Sequence, residues 1–99
     1  MKQHTKIYLK ALGYHETDFK PCEISGQRGI DIHHIVNREN RIENLMLLTR
    51  ELHHDLGEIK SKMYFLLTTH MRFLELNGVK FDVKWFNEQM QKYEVYSND

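Results

Sequence analysis

The sequence is poor in the residues that cross-link small domains or interrupt regular structure. It has one cysteine and one proline among 99 residues, and it has no run of 18 apolar residues. A single thiol cannot form an internal disulfide, which excludes a disulfide framework and fits a reducing compartment. Without a long apolar run no transmembrane helix is expected, and the start MKQHTKIYLK lacks the apolar segment of a signal peptide. We therefore expect a cytoplasmic protein that does not contact a membrane.

A net charge is also lacking, because 14 basic residues balance 14 acidic ones. Affinity for nucleic acid comes mainly from neutralised phosphates, so the whole molecule attracts a polyanion weakly. Any binding to nucleic acid must use a local basic patch, and a mixed solvated surface is the alternative interpretation of the charges. The candidates for phosphate contacts lie around the first histidine pair: Arg28, Arg38, Arg41 and Arg50.

The length and the 40% hydrophobic content predict one domain, residues 1–99, with a single core. Gly13 should end a helix over KIYLKAL, and GIDIHHIV alternates like a strand. NLMLL predicts a second short strand, and Thr49 should cap a helix over RELHHDL that closes at Gly57. Two amphipathic helices follow, one ending near Asn77 and one beginning after Asp82. The pattern predicts an α+β fold that is mostly helical.

Four of the seven histidines form two doublets, His33-His34 and His53-His54. Neighbouring side chains of a strand point to opposite faces, so His33 and His34 can serve one centre only where the strand ends or distorts, and the polar loop from Asn37 supplies such an end. Neighbouring side chains of a helix diverge by about 100 degrees, so at most one of His53 and His54 should face the strands. One imidazole from a strand and one from a following helix can hold a divalent ion in an open site. A neutral imidazole beside them suits a general base. The alternative is ordinary surface or core histidines.

The three remaining histidines are expected to be core or surface residues. His70 falls on the apolar stripe of the long helix and should be a packed core residue, whereas His4 and His15 should lie at the surface.

DIHHIV, a polar loop and then ENLMLLTRELHH resemble the HNH nuclease motif of the ββα-metal superfamily, in the order acid-x-His-His, Asn-Leu, His. The nine-residue interval from Asn44 to His53 recurs in that family, and PCEISG is similar to its opening segment. The resemblance covers about residues 20–57. It implies a ββα-metal (HNH, His-Me finger) core there, with an N-terminal helix before it and a helical C-terminal extension over residues 58–96.

Position by position, the resemblance implies that His33 and His53 bind one divalent metal ion and that His34 is the base that activates water. Asn44 would hold the loop that aims this base, and Asp31 would orient a histidine. Mg²⁺ or Mn²⁺ is the expected ion, although Zn²⁺ or Ni²⁺ can occupy such sites in crystals.

Two positions depart from the family pattern. Many HNH domains bind a structural zinc ion through two CxxC pairs, but the matching positions here are Cys22, Ser25, Thr49 and Leu52, so no structural zinc is expected. Gly57 stands where the colicin-like branch has a further histidine. His54 or Asp55 is the alternative third ligand. The long helix and the C-terminal segment must supply the stability that zinc supplies elsewhere.

The resemblance implies a small phage-type HNH endonuclease that hydrolyses or nicks DNA, in the host cytoplasm if phage-encoded. The C-terminal helices could also form a homodimer or hold a protein partner. The first alternative is a catalytically weak or inactive HNH fold that binds nucleic acid or a partner. A second is a histidine metal site with a structural task.

Overall fold

A computed structural model describes residues 1–97 of the chain. Within them, four α-helices and one two-stranded antiparallel sheet form an α+β fold, as the sequence predicts. The elements in chain order are α1 (Gln3–Leu12), β1 (Asp31–His34), a 3₁₀ turn (Ile42–Asn44), β2 (Leu45–Leu48), α2 (Arg50–Leu56), α3 (Lys60–Leu76) and α4 (Val83–Glu94). No helix of residues 1–97 is both long and apolar enough to cross a membrane.

Helix α1 ends as predicted at Gly13, which has the left-handed φ of 71° that glycine adopts without strain. The next N–H, of Tyr14, donates to the carbonyl of Leu9 at 2.9 Å and so satisfies a carbonyl of the last turn. The helix begins at Gln3, three residues earlier than its apolar pattern indicates. Tyr8 and Leu9 are buried and fix α1 against the sheet.

The two strands pair from Asp31 opposite Leu48 to His34 opposite Leu45. Strand β1 is shorter at both ends than the alternation in GIDIHHIV predicts. The backbone pairing nevertheless continues on either side, since Ile30 N–H donates to the Leu48 carbonyl and Ile35 N–H to the Asn44 carbonyl, both at 2.9 Å. The register therefore extends over the whole segment that carries the first histidine doublet.

Helices α2 and α4 begin where polar caps predict them. Thr49 Oγ1 accepts a hydrogen bond from Leu52 N–H at 3.2 Å and starts α2 directly after β2. Asp82 Oδ1 accepts one from Trp85 N–H at 3.1 Å and starts α4. Helices α3 and α4 share the main core with β2, and their most buried apolar residues are Leu66, Leu67, Leu74, Trp85 and Phe86.

A buried polar network joins α1, the segment before β1 and α3. The His70 ring has no exposed surface, and its Nδ1 lies 2.6 Å from Glu23 Oε1 while its Nε2 lies 2.6 Å from the Ile42 carbonyl oxygen. Tyr8 Oη donates to the other oxygen of Glu23 at 2.6 Å. Both ring nitrogens thus lie within hydrogen-bond distance of an oxygen, which ties α3 to Glu23 and to the Ile42 backbone. His70 is thus the buried residue that its helical position predicts.

The residues at the positions compared with CxxC pairs form ordinary hydrogen bonds. The buried thiol of Cys22 accepts from Ser25 N–H at 3.5 Å, and Thr49 caps α2. Glu23, next to this thiol, connects the same region to His70 of α3. A contact from α3 thus supports the segment that carries Cys22.

Candidate metal and catalytic site

His33 and His53 lie side by side. His33 is on β1 with 4% of its surface exposed, and His53 is on α2. Their ring centres are 4.8 Å apart and the rings are inclined by 54°. The hairpin register places β1 beside β2, and Thr49 starts α2 directly after β2, so the helix returns across the strand that carries His33. The two histidines that the resemblance names as metal ligands therefore meet, and their ligand role stays a prediction.

Asp31 fixes the ring of His53. Side chains two apart on a strand share a face, so the Asp31 carboxylate lies on the same side of β1 as His33. Its Oδ2 accepts a hydrogen bond from His53 Nδ1 at 3.1 Å, and its Oδ1 accepts one from Arg50 Nη2 at 3.2 Å. The hydrogen bond from Arg50 is the main cause that holds the pKa of Asp31 below its usual value, with His53 contributing. Because Nδ1 of His53 carries the hydrogen, Nε2 keeps its lone pair for an ion.

The His33 ring presents an unpaired nitrogen. Among residues 1–97, its Nε2 is the one buried side-chain polar atom without a hydrogen-bond partner. A buried polar group without a partner is costly, and an unoccupied ligand position is one reason for it. Burial, with the nearby His53 and His34, lowers the pKa of His33 to about 4, against a smaller opposite effect of the Gly57 backbone. The ring is therefore neutral near pH 7, which is the form that binds metals.

Gly57 lies against both rings. A Cβ atom at this position would stand 3.1 Å from His33 Cε1 and 3.1 Å from His53 Cδ2, and 2.6 Å from the His53 carbonyl oxygen. The backbone at Gly57 is right-handed, with φ of −59°, so the requirement for glycine is one of space. Gly57 thus allows the chain to close over the histidine pair.

The pair fits one divalent ion with an open shell. Two imidazoles bound to one ion at about 2.1 Å, with a tetrahedral angle between them, have ring centres about 5 Å apart. The 4.8 Å between His33 and His53 matches this value. Residues 1–97 contain no group of three His, Cys, Asp or Glu side chains placed to hold an ion. His54 has 88% of its side chain exposed and contacts Asp55, so neither completes the site.

His34 occupies a separate position next to the pair. Its Nε2 lies 2.8 Å from Asn40 Oδ1. An amide oxygen accepts hydrogen bonds, so Nε2 carries the ring hydrogen and Nδ1 is left as the basic nitrogen. His33, His34 and His53 line one cavity of about 320 Å³. The arrangement provides two candidate ligands and one candidate base around a common space.

Asn44 organises the loop between the strands. Its side chain is fully buried, and Oδ1 accepts from Val36 N–H at 3.0 Å. Its Nδ2 donates to the carbonyls of Asn37 at 2.8 Å and Glu39 at 3.1 Å. These bonds fix the loop that presents Asn40 to His34, which is the loop-holding arrangement that the resemblance implies for Asn44.

The four candidate arginines differ in their surroundings. Arg38 lines the cavity with His34, and Arg50 is bound to Asp31 with 74% of its side chain exposed. Arg41 is engaged by three carboxylates and lies over the Trp85 ring, so it stabilises the approach of α4. Arg28 is exposed on the turn before β1, where it pairs with Pro21. Arg38 and Arg50 are the two that border the site.

Two residues that contact His34, Asn40 and His4, could not be identified from the sequence. Asn40 is one of several polar residues in the loop, and nothing in the spacing distinguishes it from Asn37. His4 was expected at the surface, and it is partly exposed, but its ring also packs edge to face on His34, with ring centres 5.0 Å apart at 75°. The contact arises because α1 folds back onto β1, which no local pattern reveals. His15 is exposed, as expected.

A function is thus indicated by the arrangement of His33, His34 and His53 and by the sequence motif to which they belong. In comparisons with protein-family models, curated proteins and solved structures, the chain has no match.

Proposed function

We propose that this chain is a metal-dependent endonuclease of the HNH type that hydrolyses or nicks DNA phosphodiester bonds. One observation carries the proposal. The rings of His33 and His53 lie 4.8 Å apart with a buried, unpaired nitrogen between β1 and α2, and His34 lines the same cavity with a free basic nitrogen. The resemblance of the segment from Asp31 to His54 to the HNH motif supports the same chemistry.

His33 and His53 would hold one divalent ion. When bound, the ion would neutralise charge on the scissile phosphate and on the leaving oxygen. Asp31 keeps the His53 ring in the tautomer that leaves Nε2 free. Imidazole ligands favour Mn²⁺ over Mg²⁺, because affinity rises along the first transition series and Mg²⁺ prefers oxygen ligands.

His34 would act as the general base. Its Nδ1 takes a proton from a water molecule while the water oxygen forms a bond to phosphorus. The bond from phosphorus to the 3′ oxygen breaks, and that oxygen takes a proton from solvent, which leaves a 5′-phosphate and a 3′-hydroxyl. Asn40 accepts a hydrogen bond from the opposite ring nitrogen, at 2.8 Å, and so stabilises the imidazolium that forms. Arg38 lines this cavity and Arg50 lines a neighbouring one that shares His53, and both would contact the phosphates on either side.

The test is nicking of supercoiled plasmid DNA by the purified chain with Mn²⁺, with Mg²⁺ and with a chelator. We expect cleavage that needs the metal and falls at least a hundredfold in His34→Ala, since a general base contributes about 10²–10⁴-fold. His15→Ala is the matched control, because His15 is an exposed histidine on a loop. Circular dichroism must show that both variants keep the fold.

The competing function is an HNH-type fold that binds nucleic acid or a partner without turnover. It is favoured by the absence, in the described part of the chain, of a third protein ligand near His33 and His53. Tight DNA binding with no metal-dependent cleavage of any DNA or RNA would establish it. Full cleavage by His34→Ala would instead refute the assignment of the base.

A further inference from the structure

We infer that His4 is a positioning residue of this site: its ring, carried by α1, holds the His34 ring in the orientation in which Nε2 lies against Asn40. The catalytic consequence rests on the proposed function, whereas the effect on the His34 ring does not. The inference extends the site beyond residues 20–57, where the motif is found, to the N-terminal helix.

The contacts of His34 carry the argument. Its ring is held at Nε2 by Asn40, and it is packed edge to face by His4, with centres 5.0 Å apart at 75°. Such aromatic pairs contribute about 0.5–1.5 kcal/mol beyond the area that they bury. His34 is half-buried, and Asn40 itself is exposed on the loop. A single hydrogen bond to an exposed loop residue leaves a half-buried side chain free to exchange between staggered rotamers, so the second contact fixes the ring.

The position of His4 is set by the fold. It precedes Tyr8 by four residues, which places both on one face of α1. Tyr8 has no exposed surface, and its hydroxyl donates to the buried carboxylate of Glu23. The network that continues to His70 therefore anchors the helix one turn from His4, and the contact between His4 and His34 does not depend on a loose end of the chain.

His4 also lines a second cavity, which shares His53 with the cavity of the site. A cavity of about 660 Å³ lies between α1 and β1, and its wall includes Lys2, His4, Asp31 and His53. Burial, followed by His34 and Lys2, lowers the pKa of His4, so the ring packs on His34 as a neutral group. A neutral ring that acts by packing should be replaceable by an aromatic ring without nitrogen.

The experiment compares His4→Ala, which removes the ring, with His4→Phe, which keeps an aromatic ring, and with the control His15→Ala. In the metal-free protein, NMR couplings about χ1 and the ring proton shifts of His34 report its rotamer. We expect one rotamer in the wild type, in His4→Phe and in His15→Ala, and averaging in His4→Ala. In plasmid nicking with Mn²⁺, we expect kcat to fall about 10- to 100-fold in His4→Ala, with KM and Mn²⁺ affinity unchanged, because misplacement of a reacting group costs rates of this order. His4→Phe should restore kcat.

A single His34 rotamer in His4→Ala would overturn the inference. So would a His4→Phe variant that orders His34 but does not restore kcat, because His4 would then act through its nitrogens. If the wild type cleaves no nucleic acid, the proposed function fails, and the rotamer of His34 in His4→Ala still decides whether His4 positions it.

Discussion

The imidazole rings of His33 and His53 lie 4.8 Å apart, although one belongs to a strand and the other to a helix. The register of β1 with β2 and the immediate start of α2 at Thr49 bring them together. His33 is buried with an unpaired nitrogen, while Asp31 holds the other ring by its Nδ1. We propose that these two rings bind one cation between them.

Asp31 should increase the metal affinity of the site through its hydrogen bond with His53. In Asp31→Asn, the side chain keeps its shape but loses the charge that fixes the tautomer of His53, so we expect Mn²⁺ affinity to fall about 10- to 100-fold in calorimetric titration. Glu51→Gln makes the same change of charge at an exposed position of α2 and serves as the control. Equal Mn²⁺ affinity in Asp31→Asn and the control would show that the hydrogen bond to His53 does not serve a metal site.

Gly57→Ala should disturb the histidine pair. The added methyl would stand 2.6 Å from the His53 carbonyl oxygen and 3.1 Å from carbons of both rings, so the backbone or the rings must move. We expect a loss of about 1–3 kcal/mol in the free energy of unfolding and weaker Mn²⁺ binding. Urea unfolding and calorimetry measure the two effects. If Gly57→Ala changed neither the free energy of unfolding nor the Mn²⁺ affinity, the added methyl group would not disturb the histidine pair.

His33 should make the metal-free protein sensitive to acid. In the unfolded chain a histidine has a pKa of about 6.5, whereas burial lowers the pKa of folded His33 to about 4. As the pH falls, protons therefore bind His33 of the unfolded chain before they bind His33 of the folded protein. The contribution of His33 to the free energy of unfolding is complete above pH 6.5 and is lost as the pH falls from 6.5 to 4. We expect His33→Gln to lose less stability than the wild type over this interval in urea unfolding at each pH. An equal loss of unfolding free energy in the wild type and in His33→Gln over this interval would contradict the lowered pKa of His33.

The buried network should be the main polar support of the fold. Glu23→Gln replaces the buried carboxylate that contacts the His70 ring and the Tyr8 hydroxyl, and a buried hydrogen-bonding group left without its partner costs about 1–3 kcal/mol. Glu75→Gln, at an exposed position of α3, should change the free energy of unfolding by less than about 0.5 kcal/mol. A Glu23→Gln variant as stable as the control would show that apolar packing of α3 suffices without the pair.

Local signals predicted most of the elements. Gly13, Thr49 and Asp82 mark helix ends that depend on the chain close to them, and the structure confirms each. The apolar spacing after Gly57 likewise predicted α3 and its end near Asn77. The bounds of β1 were less accurate, because an alternating pattern continues beyond the residues that form the ladder.

The site was predictable where its residues follow one another in a known spacing. His33, Asn44 and His53 belong to one continuous motif, so their proximity could be expected from the sequence. His4 and Asn40 could not be identified in this way, because their contacts with His34 arise when α1 and the loop fold against β1. His70 was placed in the core by its helical position, but its partner Glu23 lies in a distant segment that carries no periodic signal.

The central claim is that His33 and His53 share one ion while His34 stays free. Diffraction from crystals soaked in Mn²⁺, recorded with the anomalous signal of manganese, tests it most directly. We expect one peak about 2.1 Å from Nε2 of His33 and from Nε2 of His53, with no His34 nitrogen bound to it. A peak bound to His34, or manganese bound elsewhere and not between the two rings, would contradict it.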